Sequence, residues 1–148
     1  MKAEEMWELF SKENHLEKVS YEAWAFGASA DQLAELVMKG MKTGTSSAYD
    51  LYHLAKEPLP KKGEYSVLLN ARGEAQCVLL TMNVELLPFR EISALHAYKE
   101  GEGDRTLAYW RRVHEAFFKK HLSKRGLSFH EDRLVVYEEF RLVYPISM

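Results

Sequence analysis

The chain predicts an α+β domain built on a largely antiparallel sheet or barrel. Three observations carry this. Helical-period apolar stripes lie toward both ends of the sequence, two strand-like runs meet at a tight turn in the middle, and strands and helices do not alternate as a doubly wound parallel sheet requires.

The first stripe runs from Lys2 to Asn14, where Met6, Trp7, Leu9 and Phe10 share a helical face. Ser29-Ala30-Asp31-Gln32 has the form of a capping box, with Ser29 as N-cap. Leu33, Leu36 and Val37 then give an apolar face, and Gly40 is a natural stop. Ser47-Ala48-Tyr49-Asp50 is a second capping-box candidate that would open a short helix through Leu51, Leu54 and Ala55. Pro58 and Pro60 end that helix. Tyr65–Leu69 reads as a strand, Asn70–Gly73 as a turn and Gln76–Glu85 as the returning strand of a hairpin. A short helix is expected over Glu91–Lys99. After it comes the acidic, glycine-bearing loop Glu100-Gly101-Glu102-Gly103-Asp104. The longest helix follows over Thr106–Lys124, with Trp110, Val113, Phe117 and Leu122 as its buried stripe. Leu134–Tyr144 supplies the last strand.

Length and charge narrow the function classes. A chain of 148 residues fits one domain with a core of its own. The formal net charge of −2 excludes a wholesale polyanion binder, while leaving room for a local basic patch. One cysteine, Cys77, excludes an internal disulfide framework and a multi-cysteine zinc site. No apolar run approaches the roughly 20 residues of a membrane span, and the acidic N-terminus has no signal-peptide pattern. A cytoplasmic protein without membrane contact is the expectation.

The most distinctive stretch is Gly40-Met41-Lys42-Thr43-Gly44-Thr45-Ser46-Ser47. A helix stops, an amine follows, and four hydroxyls crowd together. If the next helix began near Ser47, its free N–H groups would point into the same loop and suit a phosphate, carboxylate or oxyanion. The competing reading is a polar loop whose hydroxyls only cap a helix. The Walker A order is absent. Glu100 is a second candidate, as a general acid or base, against the plain reading of a solvated acidic turn. The six histidines show no metal-binding spacing, so neither a metal nor another cofactor is expected. Basic doublets at Lys61-Lys62, Arg111-Arg112, Lys119-Lys120 and Lys124-Arg125 interleave with Tyr109, Trp110, Phe117 and Phe118. Such a mix suits RNA or a nucleotide, or is simply the solvated face of an amphipathic helix.

The order of several motifs resembles the ASCH domain family. These are Trp24-x-Phe26-Gly27, then Gly40-x-Lys42-Thr43-x-Thr45-Ser46-Ser47, Leu59-Pro60-x-x-Gly63-x-Tyr65, and Ala97-x-x-Glu100-Gly101-Glu102-Gly103-Asp104. Ala30-Asp31-x-Leu33-Ala34-x-Leu36-Val37, Val84-x-x-x-Pro88-Phe89, Trp110-x-x-x-His114-x-x-Phe117-Phe118 and Val135-Val136-x-Glu138-x-Phe140 complete the set. The likeness runs from about Trp24 to Tyr144. It implies a single PUA-like β-barrel domain of mostly antiparallel strands with flanking helices over residues 23–146, preceded by a helical extension over 1–22. It also implies a cleft lined by the G-x-K-x-x-T loop and a partner that is RNA or a small nucleoside or nucleotide, with no DNA preference. By resemblance to small members that remove acyl groups from N4 of cytidine, Lys42, Thr45 and Glu100 are the catalytic candidates. Thr45 would attack, Lys42 would act as base, Glu100 as acid, and the backbone of Ser46 and Ser47 would hold the oxyanion. Trp24, Thr43, Ser46, Ser47, Tyr98 and Trp110 are the substrate-binding candidates. Other members are RNA binders or ribonucleases, so a non-catalytic RNA module stays open, as does a nucleotide sensor. Where many small members carry an Arg, two residues after the motif Thr, this chain has Ser47.

Overall fold

The protein is described by a computed structural model over residues 1–145. Five helices flank a curled five-stranded sheet that forms half a barrel. The helices are α1 (Ala3–Glu13), α2 (Ala30–Met38), α3 (Tyr49–Ala55), α4 (Ala94–Glu100) and α5 (Leu107–Ser123). The strands are β1 (Tyr21–Ala25), β2 (Gly44–Ala48), β3 (Tyr65–Leu69), β4 (Ala75–Pro88) and β5 (Leu134–Tyr144), ordered β1-β3-β4-β5-β2. β3 and β4 form the expected antiparallel hairpin, and β4–β5 and β5–β2 are antiparallel too. Only β1–β3 is parallel. The ladder of β4 slips between Val78 and Leu79 and again between Thr81 and Asn83. Such bulges bend a strand, which lets a 14-residue strand curl around the core.

Both expected capping boxes are absent. Ser29 has φ +50° and its side chain caps nothing. The carboxylate of Asp31 instead accepts from the backbone N–H of Ala71 at 2.9 Å, which ties α2 to the β3–β4 turn. The segment Gly44–Ser47 is not a loop at a helix N-terminus but strand β2, aligned on β5 from Glu139 to Val136. Pairing with a long partner strand outweighed the local capping signal, as tertiary context commonly does. Helix α3 begins only at Tyr49, with Ala48 at its cap position.

Three clusters make the core. Met6, Trp7 and Phe10 of α1 pack on Val67 and Val78 of the hairpin, and Trp7 stacks on Tyr21 at 4.8 Å. Ala34, Val37, Leu68, Cys77, Leu79 and Phe140 form a second cluster between α2 and the sheet. The third gathers Phe89, Ile92, Trp110, Phe118, Leu122 and Val135 beneath α5. On α5 the buried stripe is Trp110, His114, Phe118 and Leu122, so two of the four expected residues are replaced by neighbours one position on. Cys77 is fully buried, and burial pushes its thiol up to about 12, so it is an inert core group. No helix among the described residues is long and apolar enough to cross a membrane.

Candidate functional site

A cavity of about 350 Å³ opens between α2, β2, α5 and the loop after α4. One wall is apolar: Phe26, Leu33, Leu36, Val113 and Phe117, with the Tyr109 ring beside them. The other is polar: Thr45, Ser46, Glu100, Glu102 and His114. The size and the mixed lining are those of a small-molecule site.

The polar groups converge from β2 (Thr45 and Ser46), the end of α4 (Glu100), the loop after it (Glu102) and α5 (His114). Gly40, at φ +78°, turns the chain out of α2 and delivers Lys42 to the interior. There its side chain is only 1% exposed. Its ammonium donates to Glu102 Oε2 at 2.8 Å and to the Glu100 carbonyl at 3.3 Å, and lies 3.6 Å from Glu100 Oε1. It also lies 5.3 Å from the centre of the Phe26 ring. Glu100 is the last residue of α4 and is buried, not part of a solvated turn. Its Oε2 accepts from Ser46 Oγ and from the Trp110 indole N–H, both at 2.5 Å. Burial alone pushes the Glu100 carboxyl up. His114, the Lys42 ammonium and the Ser46 hydroxyl outweigh it and hold the group at about 2, so Glu100 is an anion at neutral pH. His114 lies one turn beyond Trp110 on α5, and its ring stacks on the indole at 4.3 Å.

The loop between α4 and α5 is fixed at both ends. Gly101 adopts φ +71° against the Met41 backbone. Arg105 lays its guanidinium 3.7 Å from the centre of the Tyr98 ring and donates to the carbonyls of Tyr98 and Met41. Thr43, just before β2, donates its N–H to the Lys99 carbonyl at 2.8 Å, joining the α2–β2 connection to α4.

Lys42, Thr45, Ser46 and Glu100 thus gather at one place, as their candidacy requires. Thr45, Ser46 and Glu100 line the cavity, and Lys42 lies directly behind Glu100 and Glu102. The other candidates stand elsewhere. Trp110 lies under the floor, reaching it through its N–H to Glu100. Trp24 packs edge-on to Phe26 at 5.1 Å. Thr43 is exposed with its hydroxyl on the Lys99 carbonyl, Ser47 bonds Tyr52 at 3.1 Å, and Tyr98 is exposed beneath Arg105. The N–H groups of Ser46 and Ser47 belong to a strand, where successive amides point to opposite sides, so they do not converge on one oxyanion. None of the basic doublets lines the cavity. Arg112 lies 5.4 Å from the centre of the ring of Tyr109, which does line it.

Sequence reasoning did not single out His114 or Glu102. A histidine four residues after a core tryptophan was a usable signal for the first. Nothing local marked Glu102, whose partner Lys42 lies 60 residues away.

The family model for the ASCH domain matches residues 22–144. The fold is similar to an ASCH domain from Lactobacillus crispatus JV V101, at 29% identity and a TM-score of 0.88 over 94% of this chain and 92% of that one. It is equally similar, with a TM-score of 0.88, to a protein from Enterococcus faecalis V583, at 33% identity over 95% of this chain and 86% of that one. A hypothetical protein with 14% identity and a TM-score of 0.57 shares the fold alone. No curated protein matches.

Proposed function

Because the chain belongs to the ASCH domain family, whose PUA-like fold fits RNA binding, we propose that the cavity receives one nucleobase, free as a nucleoside or presented by single-stranded RNA. The observation that carries this is the two-sided lining. Phe26, Phe117 and Tyr109 offer faces and edges to a flat ring, and Glu100, Ser46, Thr45 and His114 offer polar atoms to its rim. The charge balance selects which part of a nucleotide enters. The one ammonium at the site is engaged by Glu102, and Glu100 is anionic, so the cavity favours a neutral base with N–H donors over a phosphate.

The geometry bears on the hydrolytic reading as well. For Lys42 to serve as a base it must first leave its ion pair with Glu102. Glu100 holds no proton to give at neutral pH. Ser46 Oγ, by contrast, already directs its proton to the Glu100 carboxylate. In a hydrolytic cycle on an N4-acylated cytidine, Ser46 or Thr45 would attack the acyl carbonyl, Glu100 would take the hydroxyl proton and pass it to the departing N4 amine as the C–N bond breaks, and water would then hydrolyse the acyl ester to free the acid and the hydroxyl.

Titration with cytidine, adenosine and uridine, beside a chromatographic assay with N4-acetylcytidine, tests both levels. Saturable nucleoside binding that falls at least about tenfold in Phe117→Ala and in Glu100→Gln is expected. Absence of binding at millimolar nucleoside and of single-stranded RNA binding at low salt would refute the cavity assignment. Cytidine release by the parent that is lost in Ser46→Ala or Thr45→Ala would add the hydrolytic step. RNA binding that weakens steeply with salt, without turnover, would favour the non-catalytic module, with Arg112 at the rim as a phosphate contact.

A further inference from the structure

We propose that Glu100, Glu102 and His114 form a site for one divalent transition cation, of the Zn²⁺ or Mn²⁺ type. The inference does not rest on the nucleoside reading. Carboxylate and imidazole donors suit such ions. Each of the three residues offers a ligand atom, and these atoms all lie within 4.8 Å of one another.

Two independent features of the cluster point to a cation as its ligand. The first is Glu100 Oε1. This oxygen belongs to a side chain only 2% exposed, and it has no hydrogen-bond partner among the described residues. Its sister Oε2 takes both available donors, Ser46 and Trp110. The nearest nitrogens to Oε1 are His114 Nε2 at 3.5 Å and Lys42 Nζ at 3.6 Å. A buried anionic oxygen without a bonded partner is an exposed lone pair waiting for a ligand.

The second is the state of His114. Its Nδ1 lies 2.9 Å from the Trp110 carbonyl oxygen. A carbonyl only accepts, so Nδ1 carries the hydrogen, and in the neutral ring Nε2 is a bare lone pair. A ligating histidine is oriented in this way, with its second nitrogen donating to a backbone carbonyl. Nε2 faces Glu100 Oε1, as a donor when the ring is protonated and as a bare lone pair, free for a metal ion, when it is neutral. Their 3.5 Å separation is long for a hydrogen bond and matches the edge of a tetrahedral site, about 3.4 Å for ligands near 2.05 Å from the ion. Glu102, on the loop beyond, supplies the third donor, and the open cavity leaves the remaining position to water or ligand.

Lys42 sets the affinity. Two carboxylates against one ammonium leave the cluster one negative charge in excess. The ammonium competes for Glu102 and repels the arriving ion, so the site is tuned below that of a structural zinc centre. Relief of that competition strengthens binding.

Isothermal titration of chelator-stripped protein with ZnCl₂ and with MnCl₂ tests the proposal. One equivalent is expected for at least one of the ions. Affinity should fall at least tenfold in Glu102→Gln and in His114→Gln, and rise in Lys42→Met. Glu102 lies in the loop and is not a core residue, so its variant remains informative should His114→Gln or Lys42→Met fail to fold. No saturable binding of either ion, or binding that Glu102→Gln leaves unchanged, overturns the site.

Discussion

Replacing Lys42 by methionine lowers stability at neutral pH by about 3–5 kcal/mol, the range for removing one partner of a buried ion pair. The hydrophobic stem is kept, so the loss isolates the charge. Glu100 and Glu102 are left facing each other, with Glu100 almost wholly out of water. Adding Glu102→Gln to the variant removes one of the two stranded charges and restores part of the loss. The sign of the pH dependence follows from Glu100. Its carboxyl falls from the ordinary 4.5 to about 2 on folding, with burial opposing and His114, Lys42 and Ser46 driving the shift. Its ion-pair contribution is therefore complete above pH 4.5 and is lost as pH falls toward 2. In Lys42→Met the Glu100 carboxylate, without the ammonium that helps to hold it down, takes up its proton at higher pH instead. The gap between parent and variant is widest at neutral pH and closes with acidification. Urea unfolding of both proteins from pH 7 to pH 3 checks this, and a gap independent of pH would contradict it.

Gly101→Ala is expected to cost at least about 2 kcal/mol and to dismantle the site with it. Two penalties combine. The residue sits at φ +71°, where a side chain alone costs about 1–2 kcal/mol. A Cβ there would also run into the Met41 carbonyl and press on the Lys42 backbone. That obstacle is main chain and cannot swing aside. The α4–α5 loop would have to move away from the α2–β2 connection, which parts Glu102 from Lys42. Ligand binding should fall further than stability alone accounts for. Comparison with Gly126→Ala separates the effects: that glycine has a similar φ of +75° but nothing within 4 Å of an added Cβ. Equal costs at the two positions would show that the Met41 contact contributes nothing.

What could be read from the sequence was what short-range periodicity encodes. The β3–β4 hairpin, α1, α5 and β5 each announce themselves through apolar spacing within a few residues. The assignment of Lys42, Thr45, Ser46 and Glu100 to one place came from motif order, and the fold brings them together. The failures share a cause. Gly44–Ser47 carries a genuine local signal for a helix cap, yet β5, some 90 residues on, claims it as an edge strand. β1 has no local cue to its partner and runs parallel to β3. Glu102 and Asp104 read alike as acidic turn residues. Only the long-range position of Lys42 makes one a half-buried ion-pair partner, while the other caps Thr106. His114 looks out of place on an apolar stripe until the Glu100 carboxylate stands opposite it.

The cavity lies on the seam between two of the three core clusters. Phe26 of the apolar lining packs against the cluster around Leu68 and Phe140, and Phe117 of the same lining packs against the cluster around Phe89 and Trp110. A ring held between them bolts the two halves of the interior together. Local openings that otherwise occur separately on either side would become a single cooperative event. Occupancy would then register as slowed amide exchange in α2 and α5 at once, whereas α1, on its own cluster at the far side of the hairpin, would keep its own rhythm.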